Sequence, residues 1–88
     1  MAEKELNLKI ITPKGIELDD TCETVTLNTI DGKIGILPMH IPLITVLKKG
    51  RLKFLKENKE IFLQIDGGIA KIKDNIVTVI TPSFKISS

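Results

Sequence analysis

Apolar and polar residues alternate with a period of two along most of this chain. Leu6, Leu8 and Ile10 are separated by Asn7 and Lys9. The same alternation recurs in the segments 24–28, 51–54 and 61–66. Because side chains of a β-strand point alternately to its two faces, this pattern, rich in Ile, Val and Thr, predicts half-buried strands. No window shows the apolar period of an amphipathic helix, and no repeat or linker is visible.

Turn residues predict how these strands are connected. Asp31–Gly32 and Asp66–Gly67 are residue types that adopt the positive φ of tight hairpins, and Asp74–Asn75 is a third candidate. Lys49–Gly50 and Glu57–Lys59 mark two further strand ends. The second half is therefore expected to be a meander with strands at about 51–56, 60–66, 69–73 and 76–81.

These patterns predict an all-β fold. We expect a small antiparallel β-sandwich or flattened barrel of about 8–10 short strands. A chain of 88 residues suffices for a single domain, 1–88, with one modest core. The core is expected at about 6–82, with polar ends at 1–5 and 83–88.

The segment 31–50 departs from the alternation, since it is mostly apolar yet interrupted by Pro38 and Pro42. Each proline lacks an N–H and fixes its own φ, so neither a continuous strand nor a helix is expected here. The only histidine, His40, lies between them. We predict a rigid, kinked loop in which His40 is either a hydrogen-bonded anchor or a contact residue at an interface, where rigidity lowers the entropy lost on binding.

Composition fits a soluble intracellular domain. Hydrophobic residues make up 42% and charged residues 27% of the chain, and the formal net charge of +2 is too small to indicate nucleic-acid binding by itself. One cysteine, Cys22, excludes an intrachain disulfide and fits a reducing compartment. The N-terminus lacks the apolar core of a signal peptide. The longest apolar stretch, 34–47, is shorter than the roughly 20 residues of a membrane span.

Residues able to carry catalysis are few. One histidine and one cysteine cannot supply the three or four ligands of a metal site. Cys22 is expected to be a buried structural thiol rather than a nucleophile paired with His40. Asp19 and Asp20 are expected in a solvated turn rather than as an acid pair. Gly67–Gly68 lacks the lysine and helix of a phosphate-binding loop. The sequence therefore predicts no enzyme and no cofactor.

Nucleic-acid binding is weakly indicated, because base-stacking platforms present aromatic residues beside basic ones. The only aromatic residues are three phenylalanines, and the alternation predicts Phe54 in the core. A local group of basic residues is expected to form a solvated strand face: Lys48, Lys49, Arg51, Lys53 and Lys56.

Three blocks of residues carry a family resemblance. They read Asp31-Gly-Lys-Ile-Gly-Ile-Leu-Pro-Met-His40-Ile-Pro-Leu43, then Leu47-Lys-Lys-Gly50, then Ile65-Asp-Gly-Gly68-Ile. Their order and spacing resemble the N-terminal domain of the epsilon subunit of F-type ATP synthases. That family's pattern is Gly-x-x-Gly-hydrophobic, Pro-Gly-His-Ala-Pro-Leu, Leu-Lys-x-Gly and Ser-Gly-Gly before a strand. The likeness runs from about Leu6 to Pro82.

The resemblance implies a non-catalytic rotor subunit with a β-sandwich fold. Such a domain lies between the gamma subunit and the ring of membrane-embedded c subunits, and it fastens the ring to the central stalk for proton- or sodium-driven ATP synthesis. It further implies a peripheral place at the cytoplasmic face of the bacterial inner membrane. The residues implied to contact gamma or the c-ring are Asp31, Gly32 and Lys33 in a turn and Pro38, Met39, His40, Ile41 and Pro42 in a loop.

The chain departs from the family pattern at several positions. Lys33 stands where an acidic residue is common, so no particular salt bridge is carried over there. Met39 and Ile41 replace the usual glycine and alanine and make the loop bulkier and more apolar, and Asp66 replaces a serine. The family's C-terminal pair of regulatory helices has no counterpart before Ser88. Inhibition by helix extension is therefore not predicted, and the polar ending favours a naturally short subunit.

Two other protein classes stay open. A lipoyl- or biotinyl-type carrier is also all-β and displays one modifiable lysine at a hairpin tip. The flanks of Lys33 here are Gly32 and Ile34, however, rather than the methionines of a carrier. An OB-type binder of single-stranded nucleic acid is the third class. An added prosthetic mass on one lysine would indicate the carrier, and salt-dependent binding to single strands would indicate the OB-type protein.

Overall fold

The computed structural model describes residues 5–87, and every regular element in that range is a β-strand. The all-β fold is thus confirmed. The strands are β1 (Leu6–Thr12), β2 (Gly15–Cys22), β3 (Thr24–Thr29), β4 (Gly32–Ile36), β5 (Leu43–Lys56), β6 (Lys59–Lys73), β7 (Ile76–Ile80) and β8 (Phe84–Ser87). No helix long and apolar enough to cross a membrane occurs between residues 5 and 87. Of the predicted polar ends, residues 1–4 and 88 lie outside the described range.

Two long strands, β5 and β6, pair with each other and connect the other strands of the fold. The hydrogen-bonded order is β2-β1-β7-β6-β5-β3-β4, with β8 paired to β6. The β1–β7 pairing is parallel. Strand β6 pairs with β8 through residues 62–65 and with β7 through residues 69–73. It therefore belongs to two sheets, which we call the first sheet (β2, β1, β7 and the adjoining halves of β6 and β5) and the second sheet (β4, β3, the other halves of β5 and β6, and β8).

Strands β5 and β6 correct the sequence prediction of uniformly short strands. They contain 14 and 15 residues, and their ladder runs from Leu43↔Ile72 to Lys56↔Lys59 in one register. The strand ends predicted at Lys49–Gly50 and Asp66–Gly67 are therefore wrong. Gly50, Gly67 and Gly68 have positive φ, which lets both strands change direction between the sheets without ending.

The remaining turn predictions have mixed outcomes. The β3–β4 turn lies at Ile30–Asp31, one residue before the predicted Asp31–Gly32, and of the predicted pair only Gly32 has a positive φ, of 116°. Asp74 and Asn75 adopt φ of 54° and 64° in the β6–β7 turn, as predicted. Positive φ at both central residues is typical of the tight turns that match the twist of paired strands. Asp19 and Asp20 are exposed as predicted, but they lie within β2 rather than in a turn.

One continuous apolar cluster fills the space between the sheets. It combines inward-facing residues of β1, β3, β4, β5, β6 and β7 with Cys22 at the end of β2. Strand β1 shows the alternation clearly, because Leu6, Leu8 and Ile10 are buried and the residues between them are partly exposed. Phe54 and Cys22 are buried as predicted. Phe84 of β8 packs against the same cluster.

Candidate partner-binding surfaces

The segment 37–42, here called the contact loop, presents apolar side chains to solvent. Leu37 is 60%, Met39 78% and Ile41 73% exposed. His40 is only half-exposed, and its backbone N–H donates to the Leu37 carbonyl at 3.2 Å. Its Nδ1 lies 2.6 Å from the Ile41 carbonyl oxygen, and because a carbonyl oxygen only accepts, a hydrogen bond here is made by the tautomer with its proton on Nδ1. These bonds favour the anchor role for His40, whereas the exposed contact area belongs to its neighbours.

Asn75 fixes the contact loop to the body of the sandwich. Its side-chain oxygen accepts a hydrogen bond from the Met39 N–H at 2.7 Å, while its carbonyl accepts one from the Asn7 N–H at 2.8 Å. Met39 has a φ of 71°, an uncommon conformation for a residue with a side chain. The Asn75 bond therefore holds the loop in a conformation that Met39 alone would rarely adopt. Sequence reasoning assigned Asn75 to a turn but missed this partner, which is distant along the chain.

The turn between β3 and β4 is held by Thr29. The Thr29 hydroxyl donates to the Gly32 carbonyl at 2.7 Å and accepts from the Asp31 N–H at 3.1 Å. Lys33 follows in β4, paired with Asn28. This turn and the contact loop lie at opposite ends of β4, about 13 Å apart along the strand. The predicted site residues thus form two separate patches.

A third surface, here called the apolar row, crosses the outer face of the first sheet. Directly paired residues of five adjacent strands contribute one side chain each: Ile16, Ile11, Ile80, Ile69 and Val46. All are exposed except the half-buried Ile11. With strands about 4.8 Å apart, the row is roughly 19 Å long. Pro13 and Pro82 border a shallow depression of about 530 Å³ beside Ile11, Ile69 and Ile80.

The apolar row was missed at the level of the sequence, although a signal for it exists. Apolar doublets interrupt the alternation at Ile10–Ile11, Val46–Leu47, Ile69–Ala70 and Val79–Ile80. In each doublet one residue is buried in the core and the other faces outward. Doublets at matching register on neighbouring strands indicate a sheet that is apolar on both faces. Such a sheet is expected to be covered on its outer face as well.

Comparison with known proteins identifies the family. The family model for the beta-sandwich domain of the ATP synthase delta/epsilon chain matches residues 5–86. The chain belongs to this family. The resemblance carried by the three ordered blocks is thereby confirmed, and the carrier alternative gains no support.

The similar proteins fit this assignment. The chain is 36% identical over 86 residues to the ATP synthase epsilon chain of Lawsonia intracellularis (strain PHE/MN1-00), covering 98% of this chain and 65% of the relative. It thus spans about two thirds of that relative's length. A chain of the Euglena gracilis mitochondrial ATP synthase (OSCP/F1/c-ring, rotational state 1) superposes with a TM-score of 0.90 at 22% identity, covering 98% of this chain and 56% of that chain.

A second solved structure has the same fold. A chain from the central stalk/c-ring of the Tetrahymena thermophila mitochondrial ATP synthase gives a TM-score of 0.75 at 16% identity, covering 97% of this chain and 69% of that chain. At such low identities both superpositions demonstrate the delta/epsilon sandwich fold alone.

The potential metal ligands and the single thiol of the delta/epsilon domain can be located in the structure. Between residues 5 and 87, no three His, Cys, Asp or Glu side chains lie close enough together to hold a metal ion. Burial, reinforced by the Asp20 carboxylate, raises the pKa of the Cys22 thiol to about 11. A thiol in this state is a poor nucleophile at neutral pH.

Proposed function

We propose that this chain is a non-catalytic rotor subunit of an F-type ATP synthase, fastening the c-ring to the gamma subunit in the central stalk. Membership of the delta/epsilon sandwich family supports the assignment, as does the similarity to a bacterial ATP synthase epsilon chain. The observation that carries the proposal is the apolar row, because a contiguous exposed apolar face marks a surface that a partner protein covers.

The three surfaces are divided between two partners. The apolar row is flat and hydrophobic, as expected of an obligate interface, and we assign it to the gamma subunit. The β3–β4 turn (Asp31, Gly32 and Lys33) and residues 38–42 of the contact loop are assigned to the c-ring, whose exposed loops are polar in this family. A coupling subunit needs rigid attachment at both sides, and the Asn75 bond to Met39 supplies rigidity at the loop.

The proposal also gives the chain a location. A subunit bound to the c-ring lies at the membrane surface without crossing it, so we place this chain at the cytoplasmic face of a bacterial inner membrane as part of the complex. Its attachment to the membrane then depends entirely on the partner subunits.

The apolar row provides the experiment. Co-expression with the gamma and c subunits, followed by affinity purification through this chain, measures how much gamma is retained. Replacing Ile69 and Ile80 together by Thr removes buried apolar area at the proposed interface and should lower gamma retention about tenfold. The matched control is Ile86→Thr, at a residue 71% exposed on β8 and outside all three surfaces. Equal retention by the double variant and the control would contradict the proposal.

A further inference from the structure

A basic groove crosses the outer face of the second sheet, opposite in character to the apolar row. Its cavity of about 130 Å³ is lined by side chains from four adjacent strands. They are Lys33 of β4, Thr26 and Asn28 of β3, Arg51 and Lys53 of β5, and Phe62 of β6. Register brings them together, because Lys33 pairs with Asn28 and Lys53 pairs with both Thr26 and Phe62.

The groove carries more positive charge than ion pairs within residues 5–87 compensate. Lys53 forms an ion pair with Glu60 at 3.2 Å. Within residues 5–87 neither Lys33 nor Arg51 forms an ion pair. The Arg51 guanidinium carbon lies 4.4 Å from the centre of the Phe62 ring. This stacking holds the guanidinium in place, while its N–H edge can still donate to an anion.

Size and charge indicate which anion the groove accepts. A cavity of about 130 Å³ is smaller than the roughly 300–1,000 Å³ of sites for nucleotide-sized ligands. Two uncompensated cations are also fewer than the roughly four to eight basic residues that typically bind an anionic membrane. One side-chain carboxylate fits this volume, and a single carboxylate can accept hydrogen bonds from two cations at once. The Asn28 amide and the Thr26 hydroxyl supply neutral hydrogen-bond donors beside the cations.

We propose that the basic groove binds an aspartate or glutamate side chain presented by a polar loop of the c-ring. This inference rests on the proposed function, because Lys33 belongs both to the turn assigned to the ring and to the groove. The incoming carboxylate accepts hydrogen bonds from Arg51 and from the Lys33 ammonium. It thereby compensates one of the two positive charges that residues 5–87 leave unpaired.

Zero-length crosslinking of the purified complex tests the contact. A carbodiimide joins a lysine amine to a carboxylate in contact with it as an amide, with loss of water, and peptide mass spectrometry identifies both residues. We expect Lys33 to be joined to an Asp or Glu of subunit c. The Lys33→Arg variant keeps the positive charge but has no amine for the carbodiimide reaction, so this crosslink should be lost.

Charge reversal provides the second readout. Lys33→Glu should lower c-ring retention about tenfold in dilute salt, with a smaller loss at high salt because ions screen the repulsion. Lys85→Glu, an equal charge change on the exposed strand β8, should leave retention unchanged.

The outcomes separate this inference from the proposed function. A complex that retains gamma and the c-ring but yields no crosslink from Lys33 to subunit c overturns the groove assignment and leaves the rotor role standing. Failure of the wild-type chain to co-purify with either partner overturns both. Binding of the isolated chain to phosphatidylglycerol vesicles or to inorganic phosphate, lost on Lys33→Gln, would assign the groove to a different anion and overturn the carboxylate proposal.

Discussion

At the scale of single residues, Gly68 is the glycine with the least space for a side chain. A Cβ built on it would lie 2.0 Å from the Ile80 carbonyl oxygen and 3.0 Å from Thr81 Cα, and its φ is 125°. Both neighbours are backbone atoms, one in the last residue of β7 and one in the residue that follows it, so they cannot move aside cheaply. Gly68, the second residue of the Gly-Gly pair, thus permits the close approach of β6 and β7.

The substitution Gly68→Ala should therefore destabilise the fold by about 2–4 kcal/mol. Gly35→Ala is the matched control, because nothing lies within 4 Å of its Cβ position, and it should stay within about 0.5 kcal/mol of the wild type. Urea denaturation of both variants measures the difference. Equal midpoints would refute the close approach at Gly68.

Cys22 gives a pH-dependent prediction. Its pKa of about 11 exceeds the ordinary value of 9.0, so the native state holds the thiol proton more tightly than the unfolded chain does. Below about pH 9 both states are protonated and stability is unaffected. Between pH 9 and 11 only the unfolded chain ionises, and the free energy of unfolding falls.

Unfolding in urea at pH 8 and pH 10.5 measures this effect. The wild type should lose about 1–2 kcal/mol more than Cys22→Ala over this interval, after the constant cost of the substitution is subtracted. Parallel losses in the two proteins would mean that the thiol is not desolvated in the native state.

At the scale of elements, the contact loop combines a restricted backbone with exposed apolar side chains. Pro38 and Pro42 restrict the chain, while the Asn75 side chain fixes Met39. Met39 and Ile41 expose apolar area to a partner, and because the backbone is already restricted, little of its conformational entropy is lost on binding.

Replacing Met39 and Ile41 together by Ser should leave the free energy of unfolding within about 0.5 kcal/mol, since neither side chain is buried. It should lower c-ring retention in the purified complex and reduce ATP-driven ion pumping in membrane vesicles. Ile86→Ser serves as the control for loss of an exposed apolar side chain. Pumping equal to the wild type would remove the contact loop from the interface.

The elements also show what the sequence could and could not predict. The alternation in β1 and the turn residues Asp74 and Asn75 are local signals, and they predicted strands and a hairpin correctly. The continuity of β5 and β6 could not be read from Gly50 and Gly67, because positive φ serves a bend within a strand as well as a hairpin. Likewise, the apolar row depends on register between strands, which the order of residues along one strand does not contain.

Some features of the candidate surfaces could likewise be read from the sequence. The loop around His40 was recognisable from its prolines, whereas its attachment to Asn75 requires the fold. The basic residues Arg51 and Lys53 were visible as a solvated face. Their arrangement with Lys33 in one groove arises only from the pairing of β4, β3 and β5.

At the scale of the whole molecule, the two outer sheet faces differ in chemistry. The first sheet carries the apolar row and the second sheet carries the basic groove, with the core between them. A subunit placed between two partners needs two such surfaces. Distinct chemistry on each also disfavours binding in the reversed orientation.

The coupling ratio of membrane vesicles tests this account most directly. Inverted vesicles carrying the ATP synthase are prepared without this subunit and then supplied with the purified chain, and ion pumping is measured per ATP hydrolysed. The account predicts that hydrolysis continues without the subunit while pumping is lost, and that the added chain restores pumping. Equal pumping per ATP in its absence would contradict a role in fastening the ring to the stalk.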